Sequence, residues 1–206
     1  QLNPDSGEIT IDGTNSASIK IDGFKNALGV VPQDVFLFSD SILNNVKFGS
    51  NNPDVTQLEI DAACDTADIL NTIKQLEYGY ETLLGERGVN LSGGQKQRLS
   101  IARSLLRNPE ILVLDDCLSA VDTETEDKIL KELQKDKKER TTIIVSHRIS
   151  TIRNAKHIIV IDEGTVIEQG SHSTLLKRKG FYFDLYKKQQ SDLKDDMIDD
   201  GNEIGI

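Results

Sequence analysis

LVLDDCLSAVD, residues 112–122, completes an apolar run (Ile111 to Leu114) that ends in two adjacent carboxylates, Asp115 and Asp116, and then turns at once into Ser-Ala-Val-Asp. Ligands of open α/β sheets sit outside the carboxyl ends of the strands, so a buried strand ending in carboxylates is a place for chemistry. One carboxylate can hold a metal. The second beside it needs a task of its own.

Outward from this strand the chain alternates element types. Residues 95–107 have helical spacing, with Leu99, Ala102, Leu105 and Leu106 on one face. Downstream, a polar helix over about 124–136 carries Ile129, Leu130 and Leu133, and TIIVS at 142–146 reads as a second buried strand. LGVV at 28–31 is a short strand stopped by Pro32, and GEITIDG alternates Ile9 and Ile11 with polar residues, the pattern of a half-buried strand. HIIVID and TVIEQG, separated by Glu163-Gly164, have the form of a hairpin. Alternation of strands and helices predicts a parallel α/β core. The stretch from 40 to 107 is helical in texture and interrupts that core as an inserted subdomain.

Composition narrows the class. A chain of 206 residues holds one good-sized core. No apolar run approaches the ~18 residues of a membrane span, and QLNPDSGE has neither the basic flank nor the apolar segment of a signal peptide. Two cysteines make no disulfide framework and fit a reducing compartment. The net charge of −10 argues against a nucleic-acid partner. Much of it is local: residues 188–206 are acidic and predict a disordered tail.

LSGGQKQR, residues 91–98, is the sharpest signal. Ser92 and Gln95 have capping-box spacing, which accounts for two residues. It does not account for Gly93-Gly94, poor helix formers placed where a helix begins. Without Cβ atoms they leave backbone N–H groups open to close approach, and a helix N-terminus favours an anion. A phosphate-contacting turn is the better reading.

LSGGQ, followed after a helix by ILVLDD and SAVD and then by SHR at 146–148, closely resembles the nucleotide-binding domain of ATP-binding-cassette (ABC) transporters, over residues 1 to about 187. The resemblance implies an α/β fold with a P-loop NTPase-like ABC ATPase core and an inserted helical subdomain. It divides the chain into a core remnant (1–39), the helical subdomain with the signature (40–107), the rest of the core (108–187) and the tail (188–206). It also implies ATP and Mg²⁺ as cofactors. Ser92, Gly93, Gly94 and Gln95 then belong to the signature loop, which contacts the γ-phosphate of ATP bound mainly by the opposite domain. Gln33, in VVPQD, matches the glutamine that touches Mg²⁺ and the attacking water. Asp115 matches the carboxylate that closes the Walker B strand and holds Mg²⁺ through water. Asp122 matches the D-loop aspartate between the two ATP sites, and His147 the switch histidine on the γ-phosphate. His157 and His172 read as structural or exposed. Glu86 in TLLGERG, together with QDVFLFSDSI, points to exporters of the multidrug type. The implied partners are a second nucleotide-binding domain and transmembrane domains, with the chain at the cytoplasmic face of the membrane.

Two departures from the family matter. The chain contains no G-x-x-x-x-G-K-[ST], the loop that cradles phosphates, which in the family lies shortly before the segment resembling NPDSGEITIDG. The resemblance therefore predicts a chain cut from a longer protein just after that loop, lacking the N-terminal part of the core and inactive alone. The residue after the Walker B aspartate is usually glutamate, the base that polarises the attacking water; here it is Asp116. Losing a methylene withdraws the carboxylate by roughly 1 Å, and a misplacement of that size can cost about a hundredfold in rate. The small difference in intrinsic acidity between Asp and Glu cannot offset it. Paired exporters of two different chains often carry one such weakened site, beside an intact signature that serves the partner.

Three functions thus remain open at this point: the ATPase half of a heterodimeric exporter, a truncated or decayed cassette that only binds a partner, and a soluble ABC-type ATPase. The acidic balance and the GERG loop weigh against the last.

Overall fold

LGVV and ILVLD pair as expected. In the computed structural model, which describes residues 4–85, 91–135 and 140–199, β3 (Leu28–Val31) and β4 (Ile111–Asp115) run parallel, with Leu28 opposite Ile111 and Val31 opposite Leu114. Leu112, Leu114 and Val31 are fully buried, so one face of the pair lies in the core. β5 (Thr141–Val145) completes the order β3-β4-β5. The chain divides into two compact units, Gln1–Ile143 and Ile144–Ile206.

Two strands depart from expectation. β5 is not buried: Ile143 is 48% and Val145 49% exposed. It is the outermost strand of its sheet among the described residues, so one edge has no neighbour there. The opening half-buried strand shrinks to two residues, β1 (Thr10–Ile11), paired antiparallel with β2 (Thr14–Asn15), and Ile9 lies exposed.

The expected helical stretch contains α2 (Ile42–Lys47), α3 (Gln57–Thr66), α4 (Leu70–Gln75) and α5 (Gly93–Leu106), preceded by α1 (Ile21–Ala27). It lies within the first unit. Its starts follow local chemistry. Ser41 caps α2 by accepting from the amide of Asn44, and Thr56 and Glu59 form a full capping box at α3. α5 buries Leu99, Ile101 and Ala102. α6 (Thr123–Lys135) follows β4 and buries Ile129 and Leu130.

The second unit contains α7 (Ile149–Ile152), the hairpin of β6 (Ile158–Asp162) and β7 (Thr165–Gly170), and the helices α8 (His172–Arg178) and α9 (Phe181–Asp199). Glu163 and Gly164 turn the hairpin with positive φ of 45° and 77°, the pair of values a two-residue turn of this hand requires. Ile149, Ile158, Leu175 and Tyr182 form the core. The acidic stretch expected to be disordered is helical as far as Asp199; residues 200–206 fall outside the described ones.

The loop after β3 is held by a buried amide. Asn45 is fully buried; its Oδ1 accepts from Phe38 N (2.9 Å) and Arg103 Nη2 (2.7 Å), and its Nδ2 donates to the carbonyls of Phe38 and Ser41, each at 3.0 Å. Removing it strands several buried groups, each costing ~1–3 kcal/mol. Asn45→Ala is therefore expected to lower stability by about 2–4 kcal/mol with the urea slope unchanged, whereas Asn44→Ala, at an exposed position, should cost under about 1 kcal/mol. Urea titration of both variants checks this.

Candidate functional site

Because β3 and β4 are parallel and in register at Val31 and Leu114, the residues just past each strand come side by side. Gln33, two residues beyond Val31, donates from Nε2 to Oδ2 of Asp116 at 3.3 Å. Asp115, the last residue of β4, is exposed beside it. A carboxylate and an amide thus meet at the carboxyl ends of two neighbouring strands, next in sequence to a second carboxylate, where the sheet topology places ligands. Asp116 has a φ of +43°, a left-handed conformation that Asp and Asn tolerate better than other side chains.

No group of three or more His, Cys, Asp or Glu among the described residues forms a metal cage. Mg²⁺ does not need one, since it commonly binds through one or two carboxylates together with water and substrate phosphates. Asp115 and the Gln33 amide oxygen are hard oxygen donors of that type, and the residues present fit the ion.

The 91–98 stretch forms the start of α5. Ser92 is the N-cap: its hydroxyl accepts from Gln95 N (3.2 Å), and Gln95 Oε1 accepts from Ser92 N (2.9 Å), a complete capping box. The Gln95 side chain is thereby committed to the helix. The glycines divide in role. A Cβ at Gly94 would lie 2.7 Å from the carbonyl oxygen of Ala120, whereas one at Gly93 would meet only the Ala120 methyl at an ordinary 3.4 Å. What forbids a side chain at 94 is the segment after β4, within this chain. Packing does not explain Gly93, whose backbone is left open to approach.

Gln97, unremarked in the sequence, is 6% exposed and ties the same two segments together: its Oε1 accepts from Ala120 N (2.9 Å) and its Nε2 donates to Ser119 Oγ (3.2 Å). Its signal was available, because a glutamine at i+4 from Gly93 lies on the helix face that leaves the signature turn. Nothing local names the partner. Ser119 in turn donates to the carbonyl of Asp116 at 2.9 Å. Cys117, inside this turn, is buried, and burial raises its thiol to about 12.

Asp122 lies at the start of α6 and accepts from Thr125 N (2.9 Å); that amide, then the Thr125 hydroxyl, holds its carboxyl below the usual range. His147 belongs to the second unit, where its side chain is exposed and its carbonyl accepts from Gln189 Nε2 of α9 at 2.7 Å. His172 contacts the Tyr182 hydroxyl through Nδ1 (2.8 Å) and His157 faces Gln169 (3.4 Å), both in keeping with structural roles. Glu86 lies outside the described residues.

The glycine pair yields a sharp contrast. Gly94→Ala must displace the backbone of Ala120 and is expected to cost about 1–3 kcal/mol, as overpacking does. Gly93→Ala should be within about 1 kcal/mol of neutral, since helix propensity favours alanine. Thermal and urea unfolding of the two variants compare them directly, and equal losses would mean that the Ala120 contact does not set the requirement.

Residues 1–119 match the ABC transporter family. The chain is 51% identical over 185 residues to the multidrug resistance-like ATP-binding protein MdlA of Buchnera aphidicola, covering 89% of this chain and 32% of that protein. It is 46% identical to the ATP-dependent lipid A-core flippase of Pasteurella multocida, covering 90% of this chain and 32% of that one. A solved bacterial Atm1-family ABC exporter with ATP bound superposes with a TM-score of 0.86 at 44% identity, covering 91% of this chain and 33% of the exporter. The chain thus spans about a third of the length of these relatives. It belongs to the ABC transporter family and has the P-loop NTPase α/β fold of an ABC exporter's nucleotide-binding domain.

Proposed function

We propose that the chain is the ATP-hydrolysing domain of one half of a heterodimeric ABC exporter, in which its own catalytic site is weak and its signature completes the competent site on a different partner chain. The observation that carries this reading is an aspartate at 116 beside an intact LSGGQ. Its carboxylate, one methylene short, already meets the Gln33 amide at 3.3 Å.

Each residue then has a physical task. Ser92 caps α5, and the first free N–H groups of that 14-residue helix, with its dipole, attract the γ-phosphate held by the partner. The open backbone at Gly93 allows the approach. Asp115 and the Gln33 carbonyl oxygen would hold Mg²⁺, which when bound neutralises charge on the phosphates. Asp116 orients water at this chain's site, at a distance too great for efficient proton abstraction. His147 donates to the γ-phosphate from the end of β5, and Asp122 carries the state of one site to the other through the start of α6. Phe36 and Phe48, 56% and 65% exposed, flank Phe38, and Leu83 pairs by an isolated bridge with Ser41 nearby in the chain. This apolar face suits the membrane-embedded partner, and no described helix is itself long and apolar enough to cross a membrane. The assembly so described sits at the cytoplasmic face of a membrane and drives export.

Substitution at 116 in the full transporter, with its partner, tests the reading. Asp116→Asn should leave steady-state turnover nearly unchanged, and Asp116→Glu should raise hydrolysis at this chain's own site. Were Asp116 a working base, Asp116→Asn would instead cut turnover by ~10²–10⁴, and that outcome overturns the weak site. The 206-residue chain alone, without G-x-x-x-x-G-K-[ST], is expected to show negligible ATPase activity and no micromolar binding of Mg-ATP. Calorimetry measures the binding directly.

A further inference from the structure

We propose that Gln97 is a positioning residue for the carboxylate at position 116, acting through the hydroxyl of Ser119. The inference rests on the reading of residue 116 as the side chain that faces the attacking water.

The chain of contacts is continuous and directional. Gln97 Nε2 donates to Ser119 Oγ (3.2 Å), and Ser119 Oγ donates its own proton to the carbonyl oxygen of Asp116 (2.9 Å). A hydroxyl has one proton and two lone pairs, so it can accept from the amide while giving its hydrogen to the carbonyl. The other end of the Gln97 amide accepts from Ala120 N (2.9 Å), which fixes which way round the amide lies. Its nitrogen therefore faces Ser119.

The carbonyl of Asp116 is an effective place to hold this turn. Residue 116 is left-handed (φ +43°), a conformation that persists in a non-glycine residue only where its surroundings impose it. With φ and the carbonyl direction both held, the Cα–Cβ bond has a fixed aim at the end of β4, and the carboxylate reaches Gln33 Nε2. Relaxation of the turn would swing the carboxylate away from its place beside Gln33 and break that contact. The holding residue lies on α5, four positions from Gly93. Movement of the signature turn is thereby transmitted to the aim of residue 116, from a motif serving one site to the carboxylate of the other.

Glutamine is the side chain the arrangement needs, because it must accept from one neighbour and donate to the next. Glutamate at 97 keeps the acceptor for Ala120 N but offers a second acceptor to Ser119, so the hydroxyl would donate to it rather than to Asp116. Ser119→Ala removes the link alone. Ser119→Thr keeps the hydroxyl at an exposed position with room for a methyl.

Two readouts in the full transporter, with its partner, test the proposal. Cys117 lies buried inside the turn, and its labelling by a thiol reagent, followed by peptide mass spectrometry, reports release of that turn. Ser119→Ala should label about tenfold faster than the parent at unchanged Tm, and Gln97→Glu at least as fast with a lowered Tm, since it places a carboxylate at a buried position, with Ser119→Thr at the parent rate. The second readout places Asp116→Glu in this chain and removes the equivalent glutamate of the partner, so that turnover arises at this chain's site. There Ser119→Ala should lower kcat by roughly ten- to a hundredfold with KM for ATP unchanged, and Ser119→Thr should restore it. Unchanged labelling of Cys117 overturns the proposal whatever the activity. Faster labelling with unchanged kcat, or an equal rise in KM, overturns it too, since the turn would then be held for stability alone. A parent that is silent in the second readout counts against the weak-site reading instead, and leaves the labelling to decide this one.

Discussion

The first unit depends on hydrogen bonds that side chains of α5 give to the backbone carbonyls of the loops around it. Arg103 donates to Phe36 O and Asn45 O, each at 2.8 Å, Arg107 to Lys25 O (2.9 Å) and Gly49 O (3.3 Å), and Arg98 to Asp68 O and, at 3.2 Å, to its carboxylate. Loops packed against a core must satisfy their carbonyls somewhere, and a guanidinium with five fixed donors can serve several at once. Arg103 is the most demanding case. Burial lowers its pKa, yet it remains a cation and lies over the rings of Phe38 and Phe48 at 5.5 and 5.9 Å. One helix thus carries the signature turn at its start and, ten residues on, the side chain that fixes the loop leading away from Gln33.

That dependence explains what could be read from the sequence and what could not. β3, β4 and the hairpin were legible because each is a local apolar run bounded by its own turn chemistry. The start of α5 was legible because Ser92 and Gln95 satisfy each other within one turn. β5 was misjudged for the opposite reason. Its apolar content is that of a buried strand, but burial depends on what lies alongside, and here Ile143 and Val145 are half exposed. Composition made 188–206 look disordered, whereas α9 continues through Asp199; acidic character alone does not stop a helix that contains neither Gly nor Pro.

The site divides along the same line. Asp115 and Asp116 stood out in the sequence because they follow an apolar strand, whereas Gln33 came only from the resemblance of VVPQD to the family; the parallel register then brings Gln33 and Asp116 together. The need for glycine at 94 and the partner of Gln97 could not be read there, because both are set by Ala120, more than twenty residues away. The two glycines of LSGGQ look alike in the sequence and answer to different neighbours. Gly94 meets this chain's own backbone, and Gly93 leaves room for something outside it.

The second carboxylate of LVLDD is best understood by what holds it. A shorter side chain at 116 does not simply retreat from the end of β4. Its backbone adopts a left-handed turn, its carbonyl is held by Ser119, and its carboxylate takes the Gln33 amide as a partner. In the reading proposed above, reach is what is reduced at 116. The same contact gives the side chain a different value: it orders Gln33 with the amide nitrogen turned toward Asp116 and the amide oxygen left for another partner. What the second acidic residue is seen to do in this chain is aim its neighbour Gln33.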